Sequence, residues 1–323
     1  MCGNGARAIL SGHYGYSAAT RFDVLDCSSC DTRFAWPMRA DTAVYEQIYA
    51  AADQVPGYGR YKRLQALAMS SPRILEDLAA TEDTYWGVSQ ALSKVARPGH
   101  RVLEVGSGLG YLTHAMRQAG LNAQGVDLSE AAVRSAVSNF GPFFRCGTLD
   151  SMSSEAGGFD CVVATELIEH LEEPQQFVDQ ALRLLRPGGT LILTTPNKDI
   201  YPTHWAWHTD PAPVHLWWFS RSSLRRMAWA SGTSITFVDF VGFYAGRARR
   251  PVATKPATFD SDGKVVFKDS LVNTVARALL ARWPSSARWI GRIFLARLSR
   301  MRGAVDLGRQ GLCHCAIFRV AAQ

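Results

Sequence analysis

Three groups of residues have types and spacings suited to chemistry. Glu104 sits near the end of the apolar run Val102-Leu-Glu-Val and precedes Gly106, Ser107, Gly108 and Gly110, a G-x-G-x-G turn leading into a helical segment. Glycines let backbone turn tightly and approach a ligand with no Cβ in the way. A dinucleotide turn spaces its glycines G-x-G-x-x-G and places a pyrophosphate at a helix N-terminus. Here the third glycine comes one residue early and Glu104 would repel a pyrophosphate, so the loop suits a ligand carrying positive charge. Asp127 ends the next apolar run, where a carboxylate can accept from both hydroxyls of a ribose. Its competing role is to serve the N-terminus of the helix that begins near Ser129.

The second group is Glu166, Glu169 and His170, at i, i+3, i+4 spacing. On one helical turn these side chains share a face, and with a distant His215 they could hold a divalent cation. In the alternative, Glu166 lines the ligand pocket while Glu169 and His170 make ordinary turn contacts. His204, His208 and His215 are further candidate general bases, and Trp205, Trp207, Trp217 and Trp218 crowd the same stretch. The third group is Cys27-Ser-Ser-Cys30, the spacing of half a zinc site. Cys2 lacks the partner that would precede Met1, so the alternatives are a later start than the natural one, completion by His13 or water, or loss of the metal. Cys313 and Cys315 alternate on one predicted strand as core residues, and Cys146 and Cys161 are expected to be buried in theirs.

These residues need a frame. Residues 1–40 read as a small Cys-containing ribbon-like segment, and 41–98 as an N-terminal helical region, with TAVYEQIYAAADQ, RYKRLQALAM and TYWGVSQALSKVA apolar at three-to-four spacing. From Arg101, short β-branched runs alternate with amphipathic segments, the pattern of a parallel sheet with crossover helices. Strands are predicted at 101–105, 122–127, 143–147, 159–164, 190–196, 235–243 and 314–320, with helices near 110–119, 129–139, 173–186 and 220–231. Ligands in such sheets bind at the carboxyl ends of the strands.

Residues from about 84 to 243 resemble a class I S-adenosylmethionine-dependent methyltransferase. The resemblance rests on five motifs in order: Glu104 to Gly110, Asp127, Gly147-Thr-Leu-Asp150, Phe159 to His170, and Leu185-Arg-Pro-Gly-Gly189. It implies an α/β fold with a Rossmann-like seven-stranded sheet of order 3-2-1-4-5-7-6, strand 7 antiparallel. The methyltransferase domain would comprise 99–243 and 314–323, with a basic helical insertion or cap at 244–313 between strands 6 and 7. S-adenosylmethionine is the implied cofactor. Glu104, Gly106, Ser107, Gly108 and Gly110 would wrap its methionine part, Asp127 would bind its ribose, Leu149 lies in the segment that flanks its adenine, and Leu128 and Glu166 complete the donor-binding set. E-x-x-E-H resembles the motif of ubiquinone-pathway O-methyltransferases and small-RNA 2′-O-methyltransferases, some of which use a metal through it. Pro213-Val-His-Leu-Trp-Trp-Phe-Ser220 resembles the H-x-x-x-F-S stretch of small-molecule methyltransferases. His215, Glu169 and His170 are therefore the catalytic candidates, and Glu166, Glu169, His170 and His215 a candidate divalent-metal set. The N-terminal segment resembles a C-x-x-C-G…C-x-x-C zinc ribbon lacking its first cysteine, with Cys27 and Cys30 as the ligands expected for zinc.

Composition limits the partners. The 323 residues are 47% hydrophobic and 20% charged, which suits a folded chain. No run approaches the roughly 18–20 apolar residues of a membrane span, no secretory leader is visible, and the seven cysteines do not read as a disulfide framework; a cytosolic protein is expected. The net charge is +7, and seven arginines with no Asp or Glu lie between Ser270 and Gly303. Outside that segment, 28 basic residues face 28 acidic ones. The segment interleaves arginine with Trp283, Trp289 and Phe294, fitting an anionic membrane surface at the inner face or a phosphate-bearing acceptor, and less well nucleic acid. The expected activity is O-methylation of a small-molecule, glycan or lipid-linked metabolite. The rivals are an RNA 2′-O-methyltransferase and a nucleoside-binding scaffold without turnover.

Overall fold

The computed structural model describes residues 2–14, 20–41, 43–44, 59–200, 212–245, 258–259, 265–266 and 311–322. His204, Trp205, Trp207, His208, the basic segment 270–303 and most of the helix expected at 42–54 lie outside the described residues, as does the side chain of His13.

The chain begins with a ribbon of β1 (Arg7–Tyr14), β2 (Arg21–Cys27) and β3 (Thr32–Trp36). Helices α1 (Gly59–Ser70), α2 (Ile74–Thr81) and α3 (Asp83–Val95) follow. The alternating region then runs β4 (Arg101–Val105), α4 (Tyr111–Gln118), β5 (Asn122–Asp127), α5 (Glu130–Phe140) and β6 (Phe144–Cys146). It continues with β7 (Phe159–Thr165), α6 (Pro174–Leu184) and β8 (Leu185–Pro196). Next come β9 (Trp217–Trp218), α7 (Arg221–Ala230), β10 (Ser234–Phe237) and α8 (Val241–Tyr244). A short hairpin, β11 (Thr258–Phe259) with β12 (Val265–Val266), precedes β13 (Cys313–Arg319).

The main sheet has the order β6-β5-β4-β7-β8-β13-β10. Strand β13 runs antiparallel to both neighbours, and β4 to β8 are parallel. In sheet numbering this is the expected 3-2-1-4-5-7-6. The central strands are buried on both faces: Leu103, Val162, Val163, Leu191 and Ile192 are fully enclosed, which is why they read as continuous apolar runs instead of alternating ones. One core lies under α1 to α5 and α8. The other lies under α6, α7 and the ribbon.

Local geometry departs from the sequence reading in five places. Strand β8 begins at Leu185, because Phe159 faces Leu185 while Cys161 faces Thr190, so Arg186-Pro-Gly-Gly189 forms a bulge inside the strand rather than a turn before it. Strand β10 stops at Phe237, and the Asp239 carboxylate accepts from the Val241 amide at 2.7 Å to start a helical turn where strand was expected. Residues 168–170 form a 3-10 turn and Glu166 has φ +48°, so the single helical face expected for Glu166, Glu169 and His170 does not exist. Cys146 is exposed, not buried, because it ends a three-residue edge strand; Cys161, Cys313 and Cys315 are buried. Finally, the sequence reading places no strand at 217–218, where β9 forms and joins the ribbon. β3 pairs with β9 to complete a second sheet of order β1-β2-β3-β9.

Candidate functional site

The carboxyl ends of β4, β5 and β7 build a loop cradle. After β4 the chain turns through Gly106, Gly108 and Gly110 with φ of +74°, +50° and +81°. Their roles differ. A Cβ at Gly110 would lie 2.7 Å from both Ala136 and Phe144, so its absence lets α4 pack against α5 and β6, whereas a Cβ at Gly108 would meet nothing within 4 Å. Gly108 thus presents bare backbone to open space. Asp127 fixes this turn: its Oδ2 accepts from the Gly108 amide at 2.7 Å and its Oδ1 from the Ser129 amide at 2.8 Å. The α5 cap is Ser129 itself, whose hydroxyl accepts from the Ala132 amide. Asp127 therefore bridges the glycine turn to the next helix instead of capping that helix.

Glu104 lies beneath the loop with 2% of its surface exposed. It accepts from the Thr113 hydroxyl and is pushed up to about 8, chiefly by loss of solvent, with the Thr113 bonds opposing and Asp127 adding to the rise. The two carboxylates thus converge on one loop, Asp127 at its rim and Glu104 as its floor. Leu128 is 72% exposed beside Asp127, while Leu149 is buried. Ser107 Oγ and Glu166 Oε1 are buried polar atoms with no hydrogen-bond partner among the described residues. Burial pushes the Glu166 carboxyl upward, with the Thr194 hydroxyl opposing it. An open glycine turn, a buried carboxyl floor that an incoming cation would help to ionise, and two buried polar atoms lacking partners fit a sulfonium nucleoside with an ammonium group.

The second half of the site stands after β7 and β8. Glu169, His170 and His215 offer ligand atoms all within 4.8 Å of one another. Glu169 Oε1 is 3.8 Å from His170 Nε2 and 4.0 Å from His215 Nε2. The two imidazole rings meet edge to face with centroids 4.8 Å apart. Glu169 is fully buried, and its other oxygen accepts from Thr195 Oγ1 at 2.9 Å. His170 Nδ1 lies 2.7 Å from the Val214 carbonyl; a carbonyl only accepts, so Nδ1 carries the proton and Nε2 is the basic nitrogen of the neutral ring. Glu166 is not a member of this cluster; its backbone is left-handed and its amide donates to Thr194 Oγ1 at 3.1 Å. Leu167 joins the two halves, touching the place where a Gly106 side chain would sit, 3.3 Å away.

Several site residues escaped the sequence reading. Gln65 of α1 donates to the Leu109 carbonyl at 3.0 Å and to Ser135 Oγ at 3.1 Å, laying that helix across the glycine turn. The Tyr85 and Tyr111 hydroxyls meet at 2.6 Å in the core beside it. No spacing rule marks these residues. Thr194 and Thr195 also went unread; the two hydroxyls closing the otherwise apolar Leu191-Ile-Leu-Thr-Thr195 are the signal that could have found them. In the ribbon, Cys2 joins Cys27 and Cys30 as a third thiol, its Sγ 3.5 Å from that of Cys27.

Comparison with known proteins agrees with this geometry. Residues 85–236 match the family model described as a methyltransferase domain. The ubiquinone biosynthesis O-methyltransferase of Xanthomonas campestris pv. campestris (strain B100) is 36% identical over 112 residues, 33% of this chain and 47% of that protein. The namesake from Coxiella burnetii (strain RSA 331 / Henzerling II) is 26% identical over 164 residues, 47% of this chain and 70% of that protein. The chain thus spans about half the length of the first relatives it matches. A crystal structure of a SAM dependent methyltransferase from Archaeoglobus fulgidus aligns with TM-score 0.41 and 14% identity, over 71% of this chain and 90% of that one. Residues 85–236 are thus a methyltransferase domain, and the sheet built on them has the strand order that the sequence resemblance implied. The domain's relatives in sequence are O-methyltransferases.

Proposed function

We propose that this protein transfers the methyl group of S-adenosylmethionine to an oxygen of a small-molecule, glycan or lipid-linked metabolite. The observation that carries the reading is the Glu169–His170–His215 cluster, held against the donor loop through Leu167. An activated methyl donor leaves the protein two tasks: aligning an acceptor oxygen and taking its proton. Asp127, Glu104 and the glycine turn hold and orient the donor, and Glu166 faces its charged end. His170 and His215 offer basic nitrogens at the acceptor side, with the buried Glu169 setting the charge between them.

Two imidazoles and a carboxylate also make a ligand set for a divalent cation. Glu169, His170 and His215 would hold it, with Thr195 and the Val214 carbonyl orienting Glu169 and His170. Such an ion would lower the pKa of an acceptor hydroxyl. Zinc at Cys27 and Cys30, with Cys2 as the third thiolate, belongs to the same reading. So does a role for the arginine-rich segment 270–303 in resting on an anionic membrane face or gripping a phosphate-bearing acceptor. Among the described residues no helix is long and apolar enough to cross a membrane, which suits peripheral attachment.

The test is to incubate the protein with labelled donor and fractionated cell extract, with and without chelator, and identify the labelled product. An oxygen-methylated metabolite whose formation falls at least about 100-fold in His215→Ala supports the reading. Label appearing only on RNA, or unchanged labelling in Glu169→Gln and His215→Ala, overturns it.

A further inference from the structure

The ribbon has an odd construction for a peripheral module: its last strand is a segment of the acceptor loop. Arg33 pairs with Trp218 and Phe34 with Trp217, and the Ala35 amide donates to the Leu216 carbonyl at 2.9 Å. The Leu216 amide in turn donates to the Glu169 carbonyl at 2.8 Å. A continuous hydrogen-bonded path therefore leads from β3 through the residue after His215 to Glu169. A second contact closes the loop from the other side, where Glu172 accepts from the Ala40 amide at 2.8 Å.

The far end of the same hairpin carries the thiols. Cys27 ends β2 and Cys30 stands in the turn before β3, both buried. The turn is closed by Asp31, at φ +56°, whose amide donates to the Cys27 carbonyl at 2.8 Å. Thiolates about 2.3 Å from a tetrahedral zinc stand about 3.8 Å apart. The Cys2–Cys27 separation of 3.5 Å and the spread of all three within 4.8 Å suit a shared ion and not a disulfide of about 2.05 Å. The turn is also tied to the main domain. Lys198, buried two residues beyond β8, pairs with Asp31 and lies 3.6 Å from Asp26. Asp26 holds Arg33 at 2.9 Å, and Arg226 of α7 donates to the Ser29 carbonyl at 3.0 Å. Three short strands enclose too little apolar surface to hold their own shape and need a staple.

We propose that a thiolate-bound zinc at Cys2, Cys27 and Cys30 braces the β2–β3 hairpin, which through β9 sets the position of His215 against Glu169. The ribbon is then a positioning element of the acceptor half, and metal occupancy at its tip tunes that half while leaving the donor cradle alone. This role rests on the acceptor reading of His215, whereas the metal and the mechanical coupling are measurable without any acceptor.

The experiment uses the full-length protein. Metal content and cobalt substitution report the site, hydrogen exchange reports the 214–218 amides, and calorimetry with S-adenosylmethionine reports the donor cradle. The wild type is expected to carry about one zinc per chain and to show thiolate-to-cobalt absorption when cobalt replaces it; Cys30→Ser loses both. Stripping the zinc speeds exchange at Leu216, Trp217 and Trp218 by about tenfold or more, leaves the amides of 102–105 protected, and is reversed by adding zinc back. If Cys30→Ser does not fold, stripping and restoring the wild type decides the matter. A wild type that binds neither zinc nor cobalt overturns the proposal, as does unchanged exchange at 214–218 in the stripped protein. Failure of the methyltransferase reading shows separately, as absence of S-adenosylmethionine binding whatever the exchange result.

Discussion

Glu104 would ordinarily titrate near 4.5 but is pushed up to about 8 by its burial under the glycine loop. Without donor, the folded protein keeps a proton that the unfolded chain releases, so the group's contribution to stability is complete below 4.5 and is lost as pH rises toward 8. A ligand with ammonium and sulfonium charges favours the carboxylate form. Donor affinity is therefore expected to climb with pH up to about 8, with proton release on binding at pH 7. Calorimetry in two buffers of different ionisation enthalpy checks this, and buffer-independent heats would contradict it. At Asp127, both carboxylate oxygens hold backbone amides, so Asp127→Ala loosens the turn and, on the proposed reading, would remove the ribose contacts with it. The expected loss is about 2–3 kcal/mol of donor binding, roughly 30- to 150-fold in Kd. A change below about threefold would remove Asp127 from the site.

At the scale of elements, the donor cradle depends on how closely α4, α5 and β6 approach. Gly110 is where they meet. A methyl group there collides with Ala136 and Phe144 at 2.7 Å, and the φ of +81° is strained for any other residue. Gly110→Ala is expected to destabilise the fold by about 2–4 kcal/mol, read as a lower denaturant midpoint at unchanged slope. Gly108→Ala has open space for the methyl and bears only the strain of its φ, so it should cost about 1 kcal/mol while weakening donor binding more than Gly110→Ala does. Equal stability losses at the two positions would contradict this division of labour. The acceptor half rests on weaker elements: a 3-10 turn at 168–170 and a two-residue strand. Its order comes from Thr195, Val214 and the ribbon, so if the cluster holds the divalent cation proposed above, Thr195→Val should loosen Glu169 and weaken manganese binding by about tenfold. Unaltered manganese affinity would show that Thr195 does not orient Glu169.

For the whole molecule, charge is the distinguishing property. The excess of +7 coincides with seven arginines between Ser270 and Gly303, a segment outside the described residues. If this segment meets an anionic surface, the protein should sediment with vesicles containing phosphatidylserine and not with phosphatidylcholine alone, and release should follow rising salt. Replacing Arg288, Arg292 and Arg297 by Ala should abolish sedimentation while leaving donor affinity unchanged. Salt-insensitive or equal binding to both vesicle types would exclude the electrostatic role.

Residue order alone determined the central sheet, because its strands are buried on both faces and so appear as uninterrupted apolar runs, and because Glu104, the three glycines and Asp127 are local features of consecutive strand ends. It also located Glu169, His170 and His215, whose types are too unusual beside such strands to pass unnoticed. Tertiary structure alone decided which of them meet. A positive φ at Glu166 takes it out of the metal set, Asp127 proves to bridge the turn rather than cap a helix, and Cys2 reaches Cys27 from 25 residues away. The pairing of β3 with β9 joins residues more than 180 positions apart, and no periodicity in either segment encodes that contact. Local conformational preference acts over a few residues, while such long-range pairings are set by which surfaces remain to be buried once the main sheet has formed.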